Sequence, residues 1–138
     1  MKKLLFTLLI TACNYGVFAQ TTTPNPITSK DSVYIDVDKE PEFPGGMNMF
    51  TQFLAKTLRY PRNAFMRNIE GRVVVQGIVE KDGSISNTKV LAPVSKELDA
   101  EALRVVNLSP TWNPAIKDGN PVRSSFTVPI TFTLHAFH

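Results

Sequence analysis

The chain is 138 residues long, carries a formal net charge of +3 and has charged side chains at 20% of its positions. This length suits a single domain built on one hydrophobic core, and no run of basic residues interleaved with aromatics gives the electrostatic footprint of a nucleic-acid binder. Cys13 is the only cysteine and lies within an N-terminal processing region, which excludes a disulfide, a thiolate nucleophile and a cysteine metal site in the mature domain.

Lys2 and Lys3 precede an apolar run over residues 4–12, and Val17 and Ala19 follow as the small residues of a cleavage region. This is the pattern of a secretory signal cut before Gln20. Even extended to Ala19, the run falls short of the roughly 20 residues that a helix needs to cross a bilayer. A second route competes, with cleavage at Ala19 favoured over it: Ile10, Thr11, Ala12 and Cys13 resemble the lipobox of bacterial lipoproteins, in which the cysteine becomes the lipidated first residue. The expected compartment is the periplasm, with membrane attachment only if Cys13 carries lipid. Loss of Lys2 and Lys3 leaves basic and acidic side chains almost balanced. The expected organisation is a signal over residues 1–19, a flexible leader over 20–32 rich in Thr, Pro, Ser and Asn, and one domain over 33–138.

Within that domain, Val33, Ile35 and Val37 alternate with Tyr34, Asp36 and Asp38, which predicts a first strand. Pro41, Pro44, Gly45 and Gly46 then break the backbone. Met47, Phe50, Leu54 and Leu58 fall at helical spacing with Phe53 beside them, and predict an amphipathic helix. Tyr60 and Pro61 end it. Pro61 suits the first turn of a short second helix reaching about Asn68 and turning Ala64 and Phe65 to the core. Residues 72–80 read as a strand whose second face is also partly apolar, and therefore as one covered on both sides. Asp82 and Gly83 form a strong hairpin signal, with the returning strand over residues 84–91. Ser95 is placed to cap a third helix that buries Leu98, Ala102, Val105 and Val106. A loop through Trp112, Pro114, Asp118 and Gly119 leads to the last strand.

That strand has the clearest pattern in the chain. Val122, Ser124, Phe126, Val128, Ile130, Phe132 and Leu134 make one apolar or small face, against Arg123, Ser125, Thr127, Pro129, Thr131 and Thr133 on the other. Proline gives no N–H to a ladder, so Pro129 places this strand at a sheet edge or a bulge, its nitrogen turned from the neighbouring strand. A sheet edge is where a second chain can add itself. The order of elements gives an α+β fold, an antiparallel three- to four-stranded sheet with helices packed on one face.

Tyr60-Pro61, Glu70-Gly71 opening a valine-rich strand, Asp82-Gly83, Trp112-Asn113-Pro114-Ala115 and residues 126–130 together resemble the TonB C-terminal domain family. Residues 41–46, Pro-Glu-Phe-Pro-Gly-Gly, are similar to an extension common in its Bacteroidetes-type members. The resemblance covers roughly residues 33–134 and departs at Gly77, where the family often has a bulky apolar residue. It implies a periplasmic module that grips the TonB box, an extended segment of outer-membrane receptors, by β-pairing along the last long strand. The implied binding edge is Ser125, Phe126, Thr127, Val128, Ile130, Thr131, Phe132 and Thr133, with Tyr60, Pro61, Gly71, Asp82, Gly83, Trp112, Pro114 and Pro129 as structural positions. The missing donor at Pro129 is expected to split such a ladder or leave only carbonyls there. A leader that reaches only about 40 Å when fully extended cannot bridge two membranes. The expectation is therefore a relative of the transducer's terminal domain, associated with TonB-dependent transport but without anchor and spacer. Its expected partner is a TonB-dependent outer-membrane receptor or another envelope protein.

Two other classes compete. An assembly or scaffold protein, a homodimer for example, would pair with itself through the same edge. An enzyme needs a constellation that the sequence does not offer: His135 and His138 lie beyond the last strand, no serine sits in a nucleophile elbow, and Gly45-Gly46 lacks the lysine and hydroxyl of a phosphate loop. Asp36, Asp38, Glu40 and Glu42 read as one solvated strand face rather than a cation site. Trp112 reads as packing. No cofactor or metal is expected.

Overall fold

A computed structural model describes residues 32–137, the side chains of residues 136 and 137 excepted. The signal, Cys13, most of the leader and His138 lie outside the described residues.

Among the described residues, three helices and five strands follow one another: α1 (Gly46–Thr57), α2 (Arg62–Met66), β1 (Gly71–Val79), β2 (Ile85–Ala92), α3 (Lys96–Asn107), β3 (Ala115–Lys117), β4 (Asn120–Val122) and β5 (Ser124–Phe132), with a 3₁₀ turn over Leu134–Phe137. The main sheet is antiparallel in the order β2-β1-β5, and β3 and β4 form a separate two-stranded ribbon. No helix among the described residues is long and apolar enough to cross a membrane.

One face of the main sheet is the core. Val73, Val75 and Val79 of β1 and Phe126, Val128, Ile130 and Phe132 of β5 are buried there. Helix α3 closes over it with Leu98, Ala102 and Val106, and α1 contributes Phe50. Ser95 caps α3 as its position predicts, its hydroxyl accepting from the Leu98 N–H at 3.2 Å. The opposite face, expected to be covered, is covered only in part: Val74, Gln76 and Ile78 are half-buried, and Val33 lines a shallow pocket beside Gln76 and Ile78. Helix α2 is also shorter than its pattern. It stops at Met66, after which Asn68 takes a left-handed φ of 54°, and Phe65 stays 38% exposed instead of joining the core.

Gly77 has a specific occupant over it. It faces Phe126 in the β1–β5 register, and a Cβ at residue 77 would lie 2.7 Å from the phenyl ring. An aromatic laid across a glycine in the neighbouring strand fills the missing side chain, and the ring continues into Trp112 at 4.7 Å between centroids. Trp112 is 4% exposed, and its indole N–H donates to Ser109 Oγ at 3.0 Å. Its backbone N–H also donates to the Gly83 carbonyl at 2.9 Å, in the β1–β2 turn. Gly83 has a φ of 87°, and an added Cβ would meet the Trp112 carbonyl oxygen at 2.1 Å, so both conformation and space require glycine there.

The N-terminal segment departs most from expectation. Residues 33–38 form no strand. The extended chain instead touches three places through isolated bridges, Tyr34 to Ser124, Lys39 to Ile116 and Glu42 to Asn113. Reciprocal backbone bonds secure the last two: Glu42 and Asn113 exchange N–H and C=O at 3.0 and 2.8 Å, and so do Lys39 and Ile116 at 3.1 and 3.0 Å. Asp118 and Gly119, expected in a loop, are the two-residue turn of the β3–β4 hairpin, with φ of 50° and 81°. The last strand begins at Ser124 and ends at Phe132, because Arg123 separates β4 from β5 and Leu134 opens the 3₁₀ turn.

Candidate functional site

β5 is laddered by β1 along one flank, in unbroken register from Val79 opposite Ser124 to Gly71 opposite Phe132. Its other flank is an edge. Tyr34 occupies the beginning of that edge, its N–H donating to the Arg123 carbonyl at 2.8 Å. This bond sets the parity of the edge, since peptide groups along a strand alternate between its two flanks. With the Arg123 carbonyl outward, the backbone groups of Ser125, Thr127, Pro129 and Thr131 are outward as well. The nitrogen without a donor at Pro129 therefore faces away from β1, whose ladder loses nothing to it. Among the described residues, nothing outside the main sheet makes a backbone hydrogen bond to residues 126–132. Thr127 and Thr131 thus each present an N–H and a carbonyl, and Pro129 a carbonyl alone.

An open groove of about 390 Å³ runs beside this edge. Ser125, Phe126, Thr127 and Val128 line one side of it. Four consecutive strand residues can share a lining only if the strand is met from its flank, because alternate side chains leave by opposite faces. Glu40, Pro41, Glu42 and Phe43 make the other wall, with Met47 and Trp112 between. The Glu42–Asn113 pairing holds that wall in place, and Phe43 packs edge-on to both Phe50 and Trp112 at 5.3 and 5.6 Å.

The acidic run that reads as one solvated face is divided. Asp36 pairs with Lys117 at 3.4 Å, and an Asp38 carboxylate oxygen accepts from the Asp118 N–H at 2.7 Å, so both fasten the segment to the β3–β4 turn. Glu40 and Glu42 are exposed on the groove wall and make no ion pair among the described residues. Near the start of the edge, Arg123 grips Glu80 at the β1–β2 turn, Nε to Oε2 at 2.5 Å and Nη2 to Oε1 at 3.1 Å, while Ser86 Oγ donates to Oε1. The Arg123 bonds first, and the Ser86 hydroxyl second, hold the Glu80 carboxyl below its ordinary pKa.

The sequence-derived edge residues separate by role. Ser125, Thr127 and Thr131 lie in the outward set, whereas Phe126, Val128, Ile130 and Phe132 send their side chains into the core. Thr133 falls beyond the end of β5. The Tyr60 hydroxyl donates to the Ile69 carbonyl and its ring meets Phe132 edge-on at 5.7 Å; burial first, and the Glu70 charge second, raise its pKa. Gly71 packs under Val94, whose methyl would lie 2.7 Å from an added Cβ. Sequence reasoning missed Tyr34 at the head of the edge and the groove wall at Glu40 and Glu42. The only signal for the wall was Phe43, an apolar residue between prolines that had to be buried somewhere.

A small α+β domain with a regular sheet edge that no other described residue ladders over residues 126–132, beside a groove, offers the kind of surface to which another polypeptide can add. The chain belongs to the TonB C-terminal family: residues 56–134 match the model of the Gram-negative bacterial TonB protein C-terminal region. Domains of this family are envelope modules associated with TonB-dependent transport and interact with outer-membrane receptors. The chain is similar to the solution structure of the Helicobacter pylori TonB C-terminal domain, with 26% identity over 64% of this chain and 79% of that one and a TM-score of 0.50. It is also similar to that of the Pseudomonas aeruginosa domain, with 27% identity over 75% of this chain and 93% of that one and a TM-score of 0.49. No curated protein matches the chain.

Proposed function

We propose that this domain works in the periplasm as a peptide-binding module, taking up an extended segment of an outer-membrane receptor, the TonB box or a similar sequence, by strand addition to β5. The observation that carries this reading is the edge over residues 127–131, which no other described residue ladders, on a strand that keeps unbroken register with β1 over its whole length and is bordered by an open groove. Main-chain bonds give such a guest its affinity, and pockets for alternate side chains give it specificity. Pro129 divides the ladder, leaving the guest two donors, at Thr127 and Thr131, with a carbonyl between them.

Thr127→Pro tests this directly. The Thr127 N–H points away from β1, so its loss leaves the internal ladder intact, as Pro129 already does. The variant is expected to keep its circular dichroism spectrum and to lose binding of fluorescently labelled receptor N-terminal segments in anisotropy titrations. Undiminished binding by a folded Thr127→Pro domain would remove the edge from the mechanism.

A further inference from the structure

From the composition of the groove we infer that the preferred guest carries a Lys or Arg two positions from an apolar residue; this inference rests on the strand-addition reading. The two walls differ in kind. The β5 side offers backbone, and the facing side carries Glu40 and Glu42, both exposed and without ion-pair partners among the described residues, with one Glu42 carboxylate oxygen lying beside Gly46 at the start of α1. Among the described residues, no basic side chain lines the groove. The two remaining members of the acidic run are consumed by Lys117 and by the Asp118 N–H, which marks Glu40 and Glu42 as the pair left over for something outside the chain.

The floor is apolar. Met47 is 59% exposed at the groove, with Trp112 and Phe126 beneath it. Residues i and i+2 of an extended strand share a face. A guest paired at Thr127 that sets an apolar side chain against Met47 therefore brings its next residue on that face along the same wall, within reach of Glu40 or Glu42 if it is long and cationic. Paired backbones fix where the guest lies, and complementary charge then selects among guests.

Three labelled peptides of alternating Val and Thr, identical except for Lys, Gln or Glu at the position two residues from one valine, test this by anisotropy titration at low and high salt. The Lys peptide is expected to bind about tenfold tighter than the Glu peptide, with Gln between them and the spread shrinking as salt rises. In an E40Q/E42Q double variant the spread should collapse. Equal affinities for the three peptides, all abolished by Thr127→Pro, would overturn the charge reading and leave strand addition standing. A Lys preference that persists in the double variant, or a preference for Glu, would overturn it as well. If none of the three binds, both this inference and the reading beneath it fail.

Discussion

The two edges of the main sheet are built differently. Along β2 the pairing with β1 shifts register twice, between Val74 and Val75 and between Gln76 and Ile78, and Asn87 adopts a left-handed φ of 49°. Irregularities of this kind twist an edge and disrupt the row of donors and acceptors that another strand would need. Lys89 adds an exposed charge, and Thr88 is tied to Asn107 of α3 at 3.1 Å. Along β5 the register is regular, and beyond Tyr34 at its head one proline interrupts the edge. One flank is irregular at several positions, while the other, beyond Tyr34 at its head, is interrupted among the described residues at Pro129 alone, so the first is the better guarded against pairing.

The comparison breaks most severely if β5 loses its seat. Phe126→Ala removes a ring that covers Gly77 and packs on Trp112, and truncations of this kind cost about 3–5 kcal/mol; urea unfolding followed by circular dichroism should show it. Gly77→Ala drives a methyl into that same ring and should cost about 1–3 kcal/mol by overpacking. Because the two residues are in contact, the double variant should be more stable than the sum of the single effects predicts.

A smaller effect ties the two edges together. Glu80, at the β1–β2 turn, is bonded to Arg123 at the head of β5. Its pKa is lowered in the folded state, so its contribution is fully present above the ordinary carboxylate range, near pH 4.3, and is lost as pH falls through the lower folded value. With both side chains partly solvated, the contribution is about 1 kcal/mol or less. E80Q should flatten the acid limb of the urea midpoint measured between about pH 6 and about pH 2, and an unchanged limb would assign acid sensitivity to other carboxylates. The least change in stability is expected from Pro129→Thr, about 0.4–1 kcal/mol lost through a freer unfolded chain. Its sharper readout is association: with the missing donor restored, sedimentation velocity should show more dimer at high concentration than the parent protein forms, which would measure how far one proline keeps this edge from its own copies.

What could be read from the sequence depended on whether a pattern names its partner. Helix α3 was legible because cap and stripe are local: Ser95 bonds within its own first turn, and Leu98, Ala102, Val105 and Val106 share one face whatever they pack against. The edge character of β5 was legible for the same reason, because the missing donor belongs to Pro129 itself. Alternation over residues 33–38 predicted a strand, yet Ile35 is 89% exposed and the backbone turns to one neighbour after another. Period two records an extended chain and says nothing about which strand, if any, lies alongside. The same silence hid the change of sheets at Arg123, since the apolar set runs through Val122, Ser124 and Phe126 without a fault. The groove was illegible because its walls come from segments far apart in the chain.

The chain contains a single tryptophan, and it lies in the floor of the groove, 4% exposed and in contact with Phe126. The domain therefore comes with its own optical probe. Emission from Trp112 should move to longer wavelength when the protein unfolds and should change in intensity when an unlabelled guest enters beside it, so occupancy and integrity can be followed in one cuvette without attaching a dye to either molecule.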